Sequence, residues 1–318
     1  MADTNITPES VFEKLRNERE TYLGALVAKN TSSGYRYSWE RFVSWCSEME
    51  VNPLPAVVET VSLYVVYLLA DHKASTVMHY VSAIGNVHRA HGYSSPFTPQ
   101  IRKLLLGARR LRTERVRQVN PLTLDNVVHM SALLIEDGTA LAARDRSLIL
   151  LGFATALRSA NLVALNMEDF EIGERGLKLS IRKSKTDQTG RGRIVAVPWG
   201  QKAETCPILA LSDWLKRRGD FPGPVYTSFD CHQDAKVRSL QPERVGQLVQ
   251  RCVARIGLDA SLYGSHSMRS GCISELAIAG CSELNIAQLS GHSDLATLRG
   301  YIRRADPWRA GPGAAVGL

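Results

Sequence analysis

Apolar residues recur along most of the chain at the three- and four-residue spacing of amphipathic helices, which predicts a mainly helical protein. The first 112 residues hold four or five segments of this kind, joined by short polar or proline-containing loops. The last of these segments begins near Pro99, a residue that suits the first turn of a helix. The pattern therefore predicts a helical first domain over residues 1–112.

A second region begins at residue 121, where Thr123 is placed to cap a helix. Residues 113–120, before it, lack apolar periodicity and are basic, as expected of a linker. In the second region, helical patterns alternate with segments of strand character at 167–172, 176–184 and 192–198. The last two are joined by a polar loop and predict a hairpin. We expect residues 121–318 to form a mostly helical domain with one small antiparallel β-sheet, so that the fold class is mainly α (α+β).

Composition narrows the classes of function. The chain of 318 residues is long enough for two domains with separate cores. Its net charge of +8 and isoelectric point near 9.3 favour a polyanionic partner, either nucleic acid or anionic lipid. No apolar run approaches the ~18 residues of a membrane span, and the N-terminal residues lack the pattern of a secretory signal. The six cysteines form no CxxC pair and are typical of reduced thiols, so we expect a cytoplasmic protein.

Positive charge is concentrated in the last helical segment of the first domain. Taken alone, a run of charge is as often a solvated helix face, but here Glu114 is the one acidic interruption. A cationic helix of this kind suits contacts to DNA phosphates, which position a protein without reading base sequence. The residues that we expect to bind DNA are Arg102, Lys103, Arg109, Arg110 and Arg112.

The densest set of reactive side chains lies between residues 266 and 304. His266 and Arg269 are three residues apart and therefore share one face of a helix. His292 opens the next helical segment, and Tyr301 follows nine positions later. Two imidazoles, a guanidinium and a phenol are together the groups needed to attack a phosphodiester.

Two further signals lie earlier in the second domain. Arg158 stands at the end of an apolar helical segment, and Lys183 and Lys185 stand where the first hairpin strand runs into the polar loop. Each signal is weak alone, because an arginine can extend its charged end to solvent and a hairpin lysine is usually solvated. The order of all these residues along the chain is the more specific feature.

That order resembles the tyrosine recombinase, or phage integrase, family, and the resemblance covers nearly the whole chain. The matching segments are ALRSANLVAL, KSKT, HSMR and LSGHSDLATLRGYIRR. The ending GYIRRAD is similar to the phage and plasmid branch that includes Cre recombinase. The resemblance implies a SAM-like core-binding domain over residues 1–112 and a catalytic domain with a C-terminal tail over residues 121–318.

For the phosphate, the resemblance implies that Arg158 and Arg269 bind the non-bridging oxygens and that Tyr301 is the nucleophile. The pentacoordinate transition state gathers negative charge on these oxygens, and two guanidiniums stabilise such charge with paired hydrogen bonds. A phenol with a pKa near ~10 is a weak nucleophile at neutral pH, so it needs a base or cationic surroundings. The product would be a covalent 3′-phosphotyrosine that keeps the energy of the broken bond.

For the protons, the resemblance implies that His266 handles the proton of the nucleophile and that His292 hydrogen-bonds a phosphate oxygen. Lys185 would be the general acid, because the departing 5′-oxygen is a poor leaving group unless it is protonated. Lys183 competes with Lys185 for this role. Lys185 is favoured, since it precedes a threonine at the mouth of the loop.

The resemblance further implies double-stranded DNA at a specific target site as the partner, and a homotetramer on synapsed DNA as the active assembly. Because the phosphotyrosine keeps the bond energy, religation needs neither ATP nor a metal, and we expect no cofactor. The sequence agrees, since it holds no GxxxxGK[ST], HExxH or DxDxDG motif. No membrane partner is expected, and a DNA-bound protein would lie with the nucleoid.

Two positions depart from the family pattern. Asn161 stands three residues after the first arginine, where the family usually has Asp or Glu, and it brings no charge. Ala156 stands two residues before that arginine, where the family often has Gly. Asn161 supports one alternative, a catalytically impaired DNA-binding protein of the same fold. A type IB topoisomerase, which shares the chemistry, is the other alternative, but the helical first domain and the short span from Arg158 to Tyr301 favour the recombinase.

Overall fold

The structure is a computed structural model, and it describes residues 8–25, 29–112, 119–182, 192–229, 235–292 and 294–305. The chain divides into two compact units, Met1–Val116 and Arg117–Leu318, each with a hydrophobic core. The division falls within the segment 113–120, of which residues 113–118 lie outside the described residues. In the described part of the chain, no helix is both long enough and apolar enough to cross a membrane.

The first unit is built from helices around an aromatic core. Its described helices are α1 (Pro8–Ala25), α2 (Lys29–Glu48), α3 (Val58–Leu69), α4 (Ala74–Ala90) and α5 (Pro99–Leu111). α2 packs on α4, and both α3 and α4 contact α5. The rings of Phe42, Trp45 and Tyr64 pack with centroids 5.0 to 6.4 Å apart. Burial of these large rings supplies much of the apolar area that stabilises the unit.

The second unit is mostly helical and contains two small antiparallel sheets. Its described helices are α6 (Leu124–Asp137), α7 (Ala140–Thr155), α8 (Ser159–Val163), α9 (Pro207–Arg218), α10 (Pro242–Arg255), α11 (His266–Ile278), α12 (Glu283–Ser290) and α13 (Leu295–Ala305). Its strands are β1 (Phe170–Gly173), β2 (Gly176–Ile181), β3 (Arg193–Pro198), β4 (Thr227–Phe229) and β5 (Ala235–Ser239). β1, β2 and β3 form one sheet in that order, and β4 pairs with β5 in the other. The predicted mainly helical fold class is confirmed.

The strand predictions were incomplete in two places. Residues 225–228 have the character of a short strand and overlap β4, but a second sheet was not predicted, because its strands of three and five residues are too short to show a clear alternation. The segment 167–172 begins with a 3₁₀ turn at Met167–Asp169, and the strand starts only at Phe170. Asp169 causes the turn, since its side chain accepts a hydrogen bond from the backbone N–H of Asn166 at 2.8 Å.

α7 is the central helix of the second unit. Most of its residues are buried, so apolar side chains lie on all sides of it and not in one stripe. It packs against α6, α9 and α11. The Thr139 hydroxyl caps its start by accepting from the backbone N–H of Ala142 at 3.1 Å. Because α7 is held on every side, the turn that follows it is fixed in place.

A smaller core holds the last three helices together. Ile273 on α11, Ile286 on α12 and Leu298 on α13 are buried in it. Cys272 is also buried there, and Tyr301 packs against the edge of the cluster. This core therefore determines where the predicted nucleophile lies.

Candidate active site

Arg158 is placed by a sharp break in the chain after α7. Ala156 adopts the left-handed conformation, with φ 49° and ψ 26°, and ends the helix at Thr155. Arg158 is extended and forms the N-cap of α8, so it does not end a helix as the sequence predicted. The break was missed because alanine is the strongest helix former and gives no stop signal. In the described part of the chain, no hydrogen bond of the Arg158 guanidinium is seen.

Arg269 is the buried centre of the site. It lies on α11 and is 3% exposed. Its Nη1 group donates to the backbone oxygens of Ala156 at 2.6 Å and Ser290 at 2.7 Å. Burial, and next the cation of Arg158, lower the pKa of the guanidinium to about 10, so Arg269 remains charged at neutral pH. One side chain thus ties the bend beside Arg158 to the end of α12.

His292 is oriented through both ring nitrogens. The Ser290 hydroxyl donates to the backbone oxygen of Ile286 at 2.6 Å, so it accepts a hydrogen bond from Nδ1–H of His292 at 2.7 Å. Nε2 then accepts from Nη2 of Arg269 at 3.0 Å. Burial, followed by the cations of Arg269, Arg158 and Arg193, lowers the pKa of His292 to about 4. The imidazole is therefore neutral in the free protein at physiological pH.

His266 is the first residue of α11, one turn before Arg269. More than a third of it is exposed to solvent. Partial burial of the ring and the cations of Arg269 and Arg158 lower the pKa of His266. A neutral imidazole that is open to solvent can accept a proton, which fits the predicted role at the nucleophile.

Tyr301 lies on α13 and is half-buried. Its ring centroid is 6.0 Å from that of His292, with the ring planes tilted by 44°. Its phenol also raises the pKa of Arg269, which places it within electrostatic reach of that guanidinium. Arg299 on the same helix forms an ion pair with Glu283 of α12 at 2.9 Å. The helix that carries the phenol is thus tied to the helix that precedes His292.

The site carries an excess of positive charge. Arg158, Arg193 and Arg269 all lower the pKa of His292, and Arg158 lowers the pKa of Arg193 as well. The carboxylate that opposes these cations at His292 is Asp294. A cluster of like charges disfavours the charged form of each member and favours the binding of an anion, and a phosphodiester would supply that negative charge.

Lys185 and its competitor Lys183 lie outside the described residues. The structure describes the two ends of their segment, Ile181 on β2 and Arg193 on β3, which face each other in the antiparallel register. Arg193 is the site residue that sequence reasoning missed. An arginine at the start of a surface strand gives no signal of its function, because its partners lie far away in the sequence.

The five predicted DNA-binding residues lie together on one side of α5 and at its end. Ile101 and Leu105 face the core, whereas the cations are all exposed. The guanidinium of Arg102 lies over the ring of Phe97 at 5.0 Å, and Arg112 donates to the backbone oxygen of His72 at 3.3 Å. The exposed residues are Arg102, Lys103, Arg109, Arg110 and Arg112.

Asn161 lies in the single turn and a half of α8, directly beside the bend. Its backbone N–H donates to the backbone oxygen of Arg158 at 2.9 Å. Its side chain is half-buried, so a neutral amide stands where the family pattern has a carboxylate.

Among the described residues, no group of three His, Cys, Asp or Glu side chains could hold a metal ion.

The sequence matches known recombinases over most of its length. Residues 121–307 match the phage integrase family. An integrase/recombinase xerD homolog of Selenomonas ruminantium is 30% identical over 298 residues, which cover 92% of this chain and 87% of that protein. A tyrosine recombinase XerC of Pseudomonas fluorescens is 24% identical over 309 residues, which cover 92% of this chain and 89% of that protein.

The fold matches solved integrase structures. A lambda integrase dimer bound to a COC′ core site superposes with a TM-score of 0.60 at 17% identity, covering 96% of this chain and 84% of that one. The Tn1549 transposon integrase in complex with transposon right end DNA gives a TM-score of 0.60 at 16% identity, covering 89% of this chain and 94% of that one. At such identities the likeness shows a common fold.

Proposed function

The chain belongs to the phage integrase family, and we propose that it is a site-specific tyrosine recombinase that cleaves and rejoins duplex DNA through a 3′-phosphotyrosine at Tyr301. Two relatives carry the names of recombinases, and the solved neighbours are integrases bound to DNA. The observation that carries the proposal is a contact geometry. Arg269 hydrogen-bonds His292, and the His292 ring lies 6.0 Å from the Tyr301 ring.

Arg158 and Arg269 would bind the scissile phosphate in different ways. Arg269 is held in position by two backbone oxygens, and its Nη2 group turns from His292 to an arriving oxygen. Arg158 has no such partner among the described residues and can close on the phosphate from the bend after α7. Two guanidiniums aimed at the non-bridging oxygens stabilise the charge that builds up in the transition state.

In the cleavage step, the phenolic oxygen of Tyr301 attacks phosphorus and the bond to the 5′-oxygen breaks. His266, neutral in the free protein, takes the phenolic proton. Lys185, or Lys183 in its place, gives a proton to the departing 5′-oxygen. Attack of a 5′-hydroxyl on the phosphotyrosine reverses each of these transfers and rejoins a strand, so the bond energy is conserved.

His292 would become a hydrogen-bond donor when the phosphate binds. In the free protein its Nε2 atom accepts from Arg269. A bound phosphate brings negative charge next to the ring and raises its pKa, and it also draws Arg269 away. Nε2 can then carry a proton and donate it to a phosphate oxygen, which is the role implied for this residue.

The first unit would act as the core-binding domain, with the cations of α5 on the DNA backbone. Exposed arginines on one helix face suit phosphate contacts, which position the protein but do not select a sequence. The active assembly would be a homotetramer that holds two synapsed target sites. Since its substrate is DNA, the protein would work at the nucleoid.

The two alternatives have less support. An impaired enzyme rests on Asn161 alone, whereas the bonded arrangement of Arg269, His292 and Ser290 is that of a preorganised site. A type IB topoisomerase would relax plasmids without a preferred site. Plasmid relaxation assays therefore separate this activity from recombination.

The proposal is tested by trapping. Purified protein is incubated with fragmented DNA of the source genome, the reaction is stopped with detergent, and the DNA that remains covalently attached to protein is sequenced. We expect enrichment of one site with an inverted repeat and a fixed cleavage stagger. Adducts scattered without a common site would contradict site-specific recombination and favour a topoisomerase.

A further inference from the structure

We propose that Arg193 is a positioning residue for strand cleavage, which clamps the end of α12 together with Arg269 and so holds His292 at the phosphate. This inference rests on the proposed roles of Arg269 and His292. It assigns a function to a residue that belongs to neither the predicted catalytic set nor the predicted DNA-binding set.

The last carbonyl groups of a helix lack partners within the helix and carry partial negative charge. In α12, Nη1 of Arg193 donates to the backbone oxygen of Gln288 at 2.7 Å and to that of Leu289 at 2.5 Å. Nη1 of Arg269 donates to the next backbone oxygen, that of Ser290, at 2.7 Å. Two arginines from two different elements, β3 and α11, thus bind three consecutive carbonyls.

Gly291 connects the end of α12, which the two arginines hold, to His292. It ends α12 in the left-handed conformation, with φ 66°, which favours glycine. A Cβ atom at this position would lie 2.8 Å from Cζ of Arg193, so the guanidinium packs directly on the backbone of Gly291. The residue that follows is His292, and its direction is therefore set by where Arg193 holds the chain.

Arg193 also connects the clamp to the predicted general acid. It is the first residue of β3 and pairs with Ile181, the last residue of β2. The segment with Lys185 runs between these two strand ends. Arg193 therefore ties the start of β3 to the end of α12.

Electrostatics supports a role beyond packing. Burial and the cation of Arg158 lower the pKa of Arg193, and its Nε group is buried without a hydrogen-bond partner among the described residues. The buried charge of Arg193 acts electrostatically on the ring of His292. Arg269, Arg158 and Arg193 all lower the pKa of His292, whereas Asp294 raises it. The ring of Tyr301 faces the ring of His292, with the two centroids 6.0 Å apart.

The test compares Arg193→Gln with Arg182→Gln. Arg182 is the control, because it lies at the other end of the same segment and its ion pairs, with Glu168 at 2.8 Å and with Asp169 at 2.5 Å, are made to the 3₁₀ turn Met167–Asp169 and not to α12. The first readout is the rate of covalent adduct formation at saturating DNA, on the duplex found by trapping. The second is the pKa of His292 in the free protein, measured from its ring protons by NMR.

For Arg193→Gln we expect the adduct to form roughly 10²-fold more slowly, since small misplacements cost about that much. DNA affinity should change less than about twofold, and the pKa of His292 should rise by about 1 because a neighbouring cation is lost. Arg193→Lys keeps the positive charge but loses the planar guanidinium, so its rate of adduct formation should fall between those of the wild type and Arg193→Gln. If Arg193→Gln fails to fold, Arg193→Lys carries the rate readout, and a wild-type rate in that variant overturns the inference.

A wild-type rate in Arg193→Gln, or an equal loss in Arg182→Gln, would overturn the inference. So would a slower reaction with an unchanged pKa of His292, because Arg193 would then not act through that residue. If the wild-type protein forms no adduct at all, the proposed function fails. The NMR measurement then still decides whether Arg193 controls the His292 loop.

Discussion

The Nη2 group of Arg269 lies 3.0 Å from Nε2 of His292, so one residue of the proposed phosphate site orients another in the protein without DNA. The hydroxyl of Ser290 holds the opposite nitrogen of the same ring at 2.7 Å. Donors that are already in position cost no reorganisation during the reaction. The free protein therefore holds both side chains at the proposed site, and the Arg269–His292 bond is the one that a bound phosphate would replace.

This arrangement predicts that His292 makes stability depend on pH. The pKa of His292 is about 4 in the folded protein, below the unfolded value of about 6.5. Between these values the unfolded chain binds more protons, so stability falls as the pH falls. We expect the unfolding free energy of the wild type to lose about 2 kcal/mol more than that of His292→Gln between pH 7 and pH 5. Urea titrations of both proteins at the two pH values measure the difference, and parallel losses would contradict it.

The two arginines should respond differently to replacement by lysine. Arg269→Lys loses the planar guanidinium whose Nη1 group bonds the oxygens of Ala156 and Ser290 and whose Nη2 group bonds His292, so it should cost roughly 2–4 kcal/mol of stability as well as cleavage activity. Arg158→Lys should leave stability within about 0.5 kcal/mol, because no hydrogen bond of its guanidinium is lost in the described structure. Both should slow cleavage by ~10² or more. Thermal unfolding measures the stability of the two variants, and adduct assays on the same preparations measure their cleavage rates. Equal destabilisation of Arg269→Lys and Arg158→Lys would be inconsistent with the structure.

The bend at Ala156 makes a prediction about side-chain size. Its left-handed backbone costs an L residue about 1–2 kcal/mol, whereas its buried methyl group contributes about 0.8 kcal/mol. Ala156→Gly should therefore be tolerated within about 1 kcal/mol, because the two effects oppose each other. Ala156→Val adds a β-branched side chain in an unfavourable conformation and a full core, and should cost more than about 2 kcal/mol. Chemical unfolding gives the free energy of unfolding of both variants. An Ala156→Val variant as stable as the wild type would contradict a strained backbone at Ala156.

The cations of α5 should control the salt dependence of DNA binding. The double variant Arg109→Gln/Arg110→Gln should reduce the slope of log K against log salt by about 2, which corresponds to two lost phosphate contacts. Lys202→Gln/Lys216→Gln, which removes the same charge from exposed positions in the second unit, is the control. Binding titrations at several salt concentrations give the slopes. A wild-type slope for the α5 double variant would contradict contacts between α5 and the DNA phosphates.

The sequence predicted the helical class and the chemical groups better than the geometry that joins them. His266 and Arg269 could be placed on one helix because their spacing is local. The bond between Arg269 and His292 links residues that are 23 positions apart and depends on how α11 packs on α12. No periodicity encodes such packing.

Ala156 and Arg193 show the limits of sequence reasoning most clearly. Ala156 ends a helix through tertiary packing, against its own strong helix propensity. Arg193 has its partners at the end of α12, 95 and 96 residues further on, and a basic residue in a polar segment looks the same whether or not it has such partners. Both residues became significant only through contacts that are distant in sequence.

The central claim is that Tyr301 forms the covalent bond to DNA. Tyr301→Phe removes the attacking oxygen and leaves the ring that packs on the last core, so the fold and DNA binding should be unchanged. The measurement is denaturing gel electrophoresis of wild type and variant after incubation with a nicked duplex carrying the trapped site. We predict a protein–DNA adduct with the wild type and none with Tyr301→Phe at equal occupancy. An adduct of equal yield with the variant would contradict the account.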